Sequence, residues 1–208
     1  MTAAYFVTGT DTGVGKTLVA AALTLAMDAF YWKPVQTGDQ DGADADFVRE
    51  KALVAKARIV PSAHSYRAPL SPHLAAALEN RHIALSDFNL PAVRPLVVEG
   101  AGGVLVPLND EHLMVHLIQA LGLPALVVAR STLGTINHTL LTLEALRSRG
   151  VSVAGVVMNG PTNTDNKVSL EKYGRISVVA EISHFDKIDA EVLLAIGKRI
   201  LKGMLEAR

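Results

Sequence analysis

The chain has 208 residues, with 20 lysines and arginines against 20 aspartates and glutamates and no cysteine. That length suits one α/β domain with a substantial core and is too short for two comfortable ones, so residues 1–208 read as a single unit. Zero formal charge without a basic block argues against nucleic acid and anionic membrane as general partners, and the lack of cysteine removes disulfides, thiolate catalysis, Fe–S ligation and cysteine zinc sites. Met1-Thr2-Ala3-Ala4-Tyr5 carries no basic n-region, and the apolar stretch Leu18 to Met27 is too short to span a bilayer, so a cytoplasmic location is expected.

In chain order, Ala4 to Thr8 reads as a buried strand and Lys16 to Ala29 as a helix packed on a sheet. Phe30 to Lys33 is a short second strand ended by Pro34, Thr37 to Ala43 a polar loop, and Asp44 to Ala57 a helix. Pro61 to Ser71 is irregular, and Pro72 opens a helix that runs to Glu79. Leu96 to Glu99 is a strand entering the glycine turn Gly100-Ala101-Gly102-Gly103, followed by a helix over His112 to Leu121 and a strand over Pro124 to Ala129. Asn137 to Arg149 is a helix closed by Gly150, Val153 to Met158 a buried strand, Ile176 to Val179 a shorter one, and Asp189 to Leu205 a final amphipathic helix. Alternating strands and helices, several strands apolar throughout, imply an α/β fold with a mostly parallel sheet flanked by helices on both faces. Ligands of such sheets bind at the carboxyl ends of the strands.

At the end of the first strand stands Gly9-Thr10-Asp11-Thr12-Gly13-Val14-Gly15-Lys16-Thr17. Gly13 and Gly15 allow a tight turn whose N–H groups point at phosphate oxygens, and the following helix adds its positive end. Lys16 would neutralise the β- and γ-phosphates and Thr17 would offer its hydroxyl to Mg²⁺, which makes this a phosphate-binding loop of the P-loop NTPase type. Five residues rather than four separate Gly9 from Gly15, so the common pattern fits only with its first glycine one place early. The bland alternative is a glycine-rich turn with an incidental Gly-Lys-Thr.

The other strand ends carry the remaining candidates. Lys33, in Lys33-Pro34-Val35-Gln36-Thr37-Gly38, is placed to meet a phosphate or a carboxylated intermediate, against the reading of a snorkelling surface lysine. Among the clustered Asp39, Asp41, Asp44 and Asp46, most serve a solvated loop and helix start; Asp44 is the chosen metal ligand and Asp46 the alternative. Glu99 would face the phosphate site and help hold Mg²⁺, with the glycines after it leaving room for substrate; otherwise Glu-Gly merely ends a strand. Asn159 could pair with an adenine edge, although an Asn-Gly-Pro turn at Asn159-Gly160-Pro161 explains it as well. His112 and His116 share a helical face, but Leu113 follows where a zinc-protease helix has Glu, so ordinary surface or interface histidines are expected.

Taken together with Ser71-Pro72-His73, Val98 to Gly103, and Leu133-Gly134-Thr135-Ile136-Asn137-His138-Thr139, these motifs resemble the dethiobiotin synthetase family from the N-terminus to about Glu181. The long glycine spacing is that family's form. The resemblance implies an ATP- and Mg²⁺-dependent ligase of biotin biosynthesis. In such enzymes 7,8-diaminopelargonate captures CO₂ as a carbamate, ATP converts it to a mixed anhydride, and the second amine closes the cyclic urea. Carried over by motif, Lys33 is catalytic and, with Lys16 and Mg²⁺, holds the carbamate, while Thr37 contacts the diamine. Gly13, Val14, Gly15, Lys16, Thr17 and Leu18 bind the triphosphate, and Thr17, Asp44 and Glu99 attend Mg²⁺. Gly100, Ala101 and Gly102 with Asn159 and Gly160 complete the ATP site. The family also implies a homodimer in which Gly134, Thr135, Ile136 and Asn137 bind the substrate carboxylate of the neighbouring subunit. The chain departs from the family's Gly-Glu-Ile-Pro in Ala180-Glu181-Ile182-Ser183.

A nucleotide-switched ATPase of the partitioning or metal-cluster-carrier type is the alternative. Such proteins carry a second lysine early in the loop, and none lies between Gly9 and Gly15; cluster carriers also need cysteine. A related amide-forming ligase of cobalamin synthesis would need a nucleophilic cysteine and more chain.

Overall fold

Strands covered on both faces need apolar side chains at every position, and Leu96-Val97-Val98, Ala125 to Ala129 and Val156 to Met158 supply them, all fully buried. In the computed structural model, which describes residues 4–39 and 42–207, these runs form the middle of a seven-stranded sheet. The strands are β1 (Ala4–Gly9), β2 (Phe30–Trp32), β3 (Val35–Thr37), β4 (Ile59–Val60), β5 (His64–Tyr66), β6 (Leu96–Gly103), β7 (Ala125–Arg130), β8 (Val153–Asn159) and β9 (Val178–Ile182). The helices are α1 (Lys16–Ala26), α2 (Asp44–Lys51), α3 (Pro72–Leu78), α4 (Met114–Leu121), α5 (Thr135–Arg147), α6 (Thr164–Gly174) and α7 (Ala190–Glu206).

The main sheet has the order β4-β2-β6-β1-β7-β8-β9 and every pairing in it is parallel. From β1 the chain builds outward on one side through β2 and β4, returns to β6, then crosses to β7, β8 and β9 on the other. The order therefore reverses at β1, where the carboxyl ends of β6, β1 and β7 diverge into a crevice. Alternation along the strands sends Val7, Tyr31, Val97 and Leu126 to one face, under α1, α2 and α7, and Phe6, Trp32, Val98 and Val127 to the other, under α3 to α6.

Packing of α7 on α1 depends on Gly197, where a Cβ would run into the carbonyl oxygen of Ala22 and the Cβ of Ala26. Gly197→Val should therefore overpack a contact that cannot yield and lower stability by about 1–3 kcal/mol. Chemical denaturation of the two proteins measures it, and an unchanged midpoint would contradict the packing.

Several element boundaries differ from the expectation. Helix α1 stops at Ala26 because Asp28 adopts a left-handed φ of 50° and the Ala29 N–H returns to the Thr24 carbonyl at 2.8 Å, feeding β2 at once. Helix α2 stops at Lys51 ahead of Leu53, φ 53°, so its expected tail to Ala57 is irregular apart from a 3₁₀ turn at Lys56–Arg58. The stretch expected to be irregular contains β5, which pairs with β3 in a separate two-stranded piece. Gly100 to Gly103, expected to turn, continue β6 as far as Gly103 opposite Gly9. Helix α4 starts two residues late, at Met114, and α5 two residues early, at Thr135. Strand β9 is shifted to Val178–Ile182. Helix α6 was not expected: it buries little beyond Leu170 and Gly174, and its start is set by Asn163, whose side chain accepts the Asn166 N–H at 3.0 Å.

Candidate active site

The loop after β1 is held in shape from three sides. Gly13 has φ 71°, and Gly15 caps α1 with φ 98° and ψ 27°, a conformation L side chains avoid. Asn159, at the end of β8, donates its Nδ2–H to the Val14 carbonyl at 2.9 Å and fills the space a Cβ on Gly15 would take. From β7, Arg130 reaches the Asp11 carboxylate and the Thr12 carbonyl, each at 3.2 Å. The first intrahelical bond of α1 is Val19 N–H to Gly15 at 3.1 Å, so the N–H groups of Lys16, Thr17 and Leu18 have no helical partner and are available to an anion. Lys16, almost buried, donates to the Asp11 carbonyl at 2.9 Å, within the same loop. Burial, the largest influence, holds its pKa below the ordinary lysine value; a bound phosphate would oppose that.

Beneath the loop four elements converge on one charged cluster. Thr17 Oγ1 on α1 lies 2.7 Å from Asp44 Oδ1 at the start of α2 and 2.8 Å from Glu99 Oε1 on β6. Lys33, just past β2 and 5% exposed, pairs with Asp44 Oδ2 and, at 3.1 Å, with Glu99 Oε1. Tyr31, on the same face of β2 two residues earlier, donates its hydroxyl to Glu99 Oε2 at 2.7 Å. Burial pulls the Lys33 pKa down, but the charges of Glu99 and Asp44 outweigh it and the net shift is upward, so Lys33 is a cation at neutral pH. For Asp44 burial pushes up, and Lys33 overrides it, leaving the carboxyl below its usual range. Burial, reinforced by Glu99, drives the Tyr31 hydroxyl well above the usual tyrosine value and keeps it a donor.

This cluster suits a magnesium ion in its donor chemistry. Thr17 has one hydroxyl proton for two close carboxylate oxygens, so one of those contacts has no hydrogen in it unless a carboxylate is protonated. A divalent cation would let all three oxygens turn lone pairs to it. No group of three His, Cys, Asp or Glu side chains suited to a metal occurs among the described residues. Magnesium accepts such a sparse set, taking phosphate oxygens and water for the rest of its shell.

A cavity of about 540 Å³ joins the loop and the cluster: Lys16, Thr17, Lys33, Thr37, Asp44 and Glu99 all line it, with Ala101 and Gly102 on one wall and Leu70 to Pro72 on another. Of the other acidic candidates, Asp46 pairs with Arg49 at 3.2 Å, Asp39 accepts from Ser65 at 2.7 Å, and Asp41 lies outside the described residues. Gly100 is packed against the Phe6 ring, and Gly160 donates its N–H to the Ile182 carbonyl at 2.8 Å. Gly134 to Asn137 do not line this cavity. They form the start of α5, where the Thr135 hydroxyl caps the Arg130 carbonyl at 2.5 Å and the preceding Leu133 is fully exposed. A second hollow of about 500 Å³, between Thr10 to Thr12, Gly103 to Pro107 and His138 and Leu141 of α5, adjoins them. His112 and His116 lie edge to face, with Asn109 at His112 Nδ1 and the Leu113 N–H donating to His116 Nδ1.

Sequence reasoning missed Tyr31, Gln36 and Arg130. The strand period puts Tyr31 on the face of Lys33 but does not reveal the carboxylate its hydroxyl meets. Gln36, nearly buried, accepts the Asp44 N–H at 3.2 Å and so fixes the start of α2; nothing in the sequence pointed to that contact.

A glycine loop between strand and helix at the switch point of a parallel sheet, with a lysine, a threonine and two carboxylates beneath it, defines a P-loop nucleotide-binding α/β protein. The AAA domain family model matches residues 3–192. The chain is 53% identical over 189 residues to the ATP-dependent dethiobiotin synthetase of Paramagnetospirillum magneticum, covering 90% of this chain and 91% of that protein. It is 51% identical over 190 residues to the biotin biosynthesis bifunctional protein of Bordetella avium, where it covers 90% of its own length and spans 41% of that longer protein. It belongs to the ATP-dependent dethiobiotin synthetase family. The cell division ATPase MinD of Pyrococcus furiosus shares the fold, with a TM-score of 0.57 at 16% identity over 97% of this chain and 99% of that one.

Proposed function

We infer that this protein is a ligase that closes 7,8-diaminopelargonate and CO₂ to dethiobiotin in biotin biosynthesis, converting ATP to ADP and phosphate. The observation that carries the reading is that the triphosphate loop, the buried cation Lys33 and Thr37 line one cavity together. A carbamate is an anion that loses CO₂ unless held, and Lys33, kept protonated by Glu99 and Asp44, holds charge without acting as a base. Lys16 with the N–H groups of Gly13 to Leu18 receives the triphosphate, Ala101 and Gly102 leave space beside it while Gly100 packs behind them on the Phe6 ring, and Asn159 and Gly160 border the base. Thr17, Asp44 and Glu99 hold Mg²⁺, which when bound neutralises the charge that develops on the transferring phosphoryl group. Thr37 orients the diamine.

The protein works as a homodimer in this proposal, with Gly134 to Asn137 of one subunit receiving the substrate carboxylate of the other. Support comes from the Ile136 and Asn137 N–H groups, which have no helical partner at the start of α5 although the Thr135 N–H bonds the Thr132 carbonyl at 3.2 Å, from exposed Leu105 and Leu141 at the second hollow, and from exposed Leu133 just before α5. Leu133→Asp should shift the population to monomer in sedimentation velocity and raise the KM for the diamine more than that for ATP. A dimer unaffected by that change would remove Leu133 from the contact. No helix among the described residues is long and apolar enough to cross a membrane.

Incubation with Mg-ATP, labelled bicarbonate and 7,8-diaminopelargonate tests the reaction. Acid-stable label and ADP should appear in equal amounts, and only with the diamine. ADP release indifferent to the diamine, with all label lost on acidification, would instead favour a nucleotide-switched ATPase.

A further inference from the structure

We propose that Tyr31 is a positioning residue that holds the Glu99 carboxylate with a single oxygen, Oε1, turned toward the cation side of the phosphate loop. The two oxygens of Glu99 have separate partners. Oε2 accepts the Tyr31 hydroxyl at 2.7 Å, while Oε1 faces Thr17 at 2.8 Å and Lys33 at 3.1 Å. Glu99 is 1% exposed and Tyr31 fully buried, so the bond between them is shielded from bulk water. Strand register explains the reach: Tyr31 lies opposite Val97 in the parallel β2–β6 pair, two residues before Glu99 on the same face. The ring packs among apolar neighbours under α1 and α2, a place that phenylalanine would fill equally well. What the hydroxyl adds is one charge-assisted bond to the carboxylate, and that bond fixes the rotation of the group. Without it a buried acceptor is orphaned, and the carboxylate gains from turning Oε2 toward Lys33 or Thr17 and giving up the one-oxygen presentation. Partners of metal-binding carboxylates tune cation affinity through such contacts.

The proposal rests on the Mg²⁺-nucleotide reading of the site, and direct binding tests it without turnover. ADP binding by calorimetry in EDTA, and the Mg²⁺ concentration that half-saturates the metal-dependent complex, are measured for wild type and Tyr31→Phe. In the variant the metal-free ADP affinity should stay within about twofold of wild type while the Mg²⁺ midpoint rises roughly 10- to 100-fold. In a Glu99→Gln background the same hydroxyl deletion should change the midpoint little. An unchanged midpoint, equal weakening with and without metal, an undiminished effect in the Glu99→Gln background, or a Phe variant that does not fold would each make the hydroxyl a packing group and overturn the proposal. Wild type that binds no ADP in either condition would remove the nucleotide reading itself, and the role of Tyr31 with it.

Discussion

Lys33→Ala is expected to lower kcat by roughly 10²–10³-fold or more, the cost of removing one fixed donor from a developing anion, while ADP still binds. Lys16 and the loop N–H groups, which carry the phosphates, do not depend on Lys33 for their conformation: the loop is tied by Asp11, Asn159 and Arg130. Stability should suffer as well. The variant leaves Glu99 buried and Asp44 partly buried without their shared cation, a loss of about 3–5 kcal/mol for a fully buried pair and less here because Asp44 is 31% exposed. That loss has a distinctive signature. Mg²⁺ with ADP supplies positive charge to the same two carboxylates, so the variant should gain more thermal stability from Mg-ADP than wild type does. Near-normal turnover in Lys33→Ala would remove this lysine from the chemistry, and equal Mg-ADP shifts in both proteins would show that the two carboxylates do not share a metal.

Most of the cavity's polar lining was legible because each residue stands at the end of an apolar run, and the parallel sheet gathers those ends at one edge. Lys16, Thr17, Lys33 and Glu99 could be named from local sequence alone, and Asp44 from its place at a helix start. What stayed hidden depends on contacts across the chain. The pairing of β3 with β5 uses two three-residue strands, too short for a periodic signal, and shows only once His64 to Tyr66 lie beside Val35 to Thr37. Glycines in β6 read as a turn, yet the crevice beside β1 needs backbone without side chains, and the strand runs on through them. Helix α6 is polar on most of its surface, so the hydrophobic period that marks a helix is faint. Tyr31 was hidden differently: a tyrosine within Phe-Tyr-Trp reads as core, and its hydroxyl acquires meaning only from a carboxylate 68 positions away in the chain.

Gly15→Ala should disable the loop through shape alone, leaving every charge in place. At φ 98° an alanine is strained by about 1–2 kcal/mol, since only glycine visits this region freely. The new methyl also meets the Asn159 amide, which must swing away and abandon the Val14 carbonyl. Relief by a change of φ would turn the following N–H groups from the phosphate position, and each charge-assisted bond lost there is worth about 1.5–3 kcal/mol. Even one such loss weakens ADP binding roughly 10- to 100-fold. The companion change separates the two causes: Asn159→Ala in the Gly15→Ala protein removes the collision and keeps the backbone strain, so its affinity should recover only part of the way to that of Asn159→Ala alone, the reference that accounts for the lost Val14 contact. Full recovery would assign the defect to the collision, and ADP binding by Gly15→Ala at wild-type strength would mean that the phosphates do not rest on this turn.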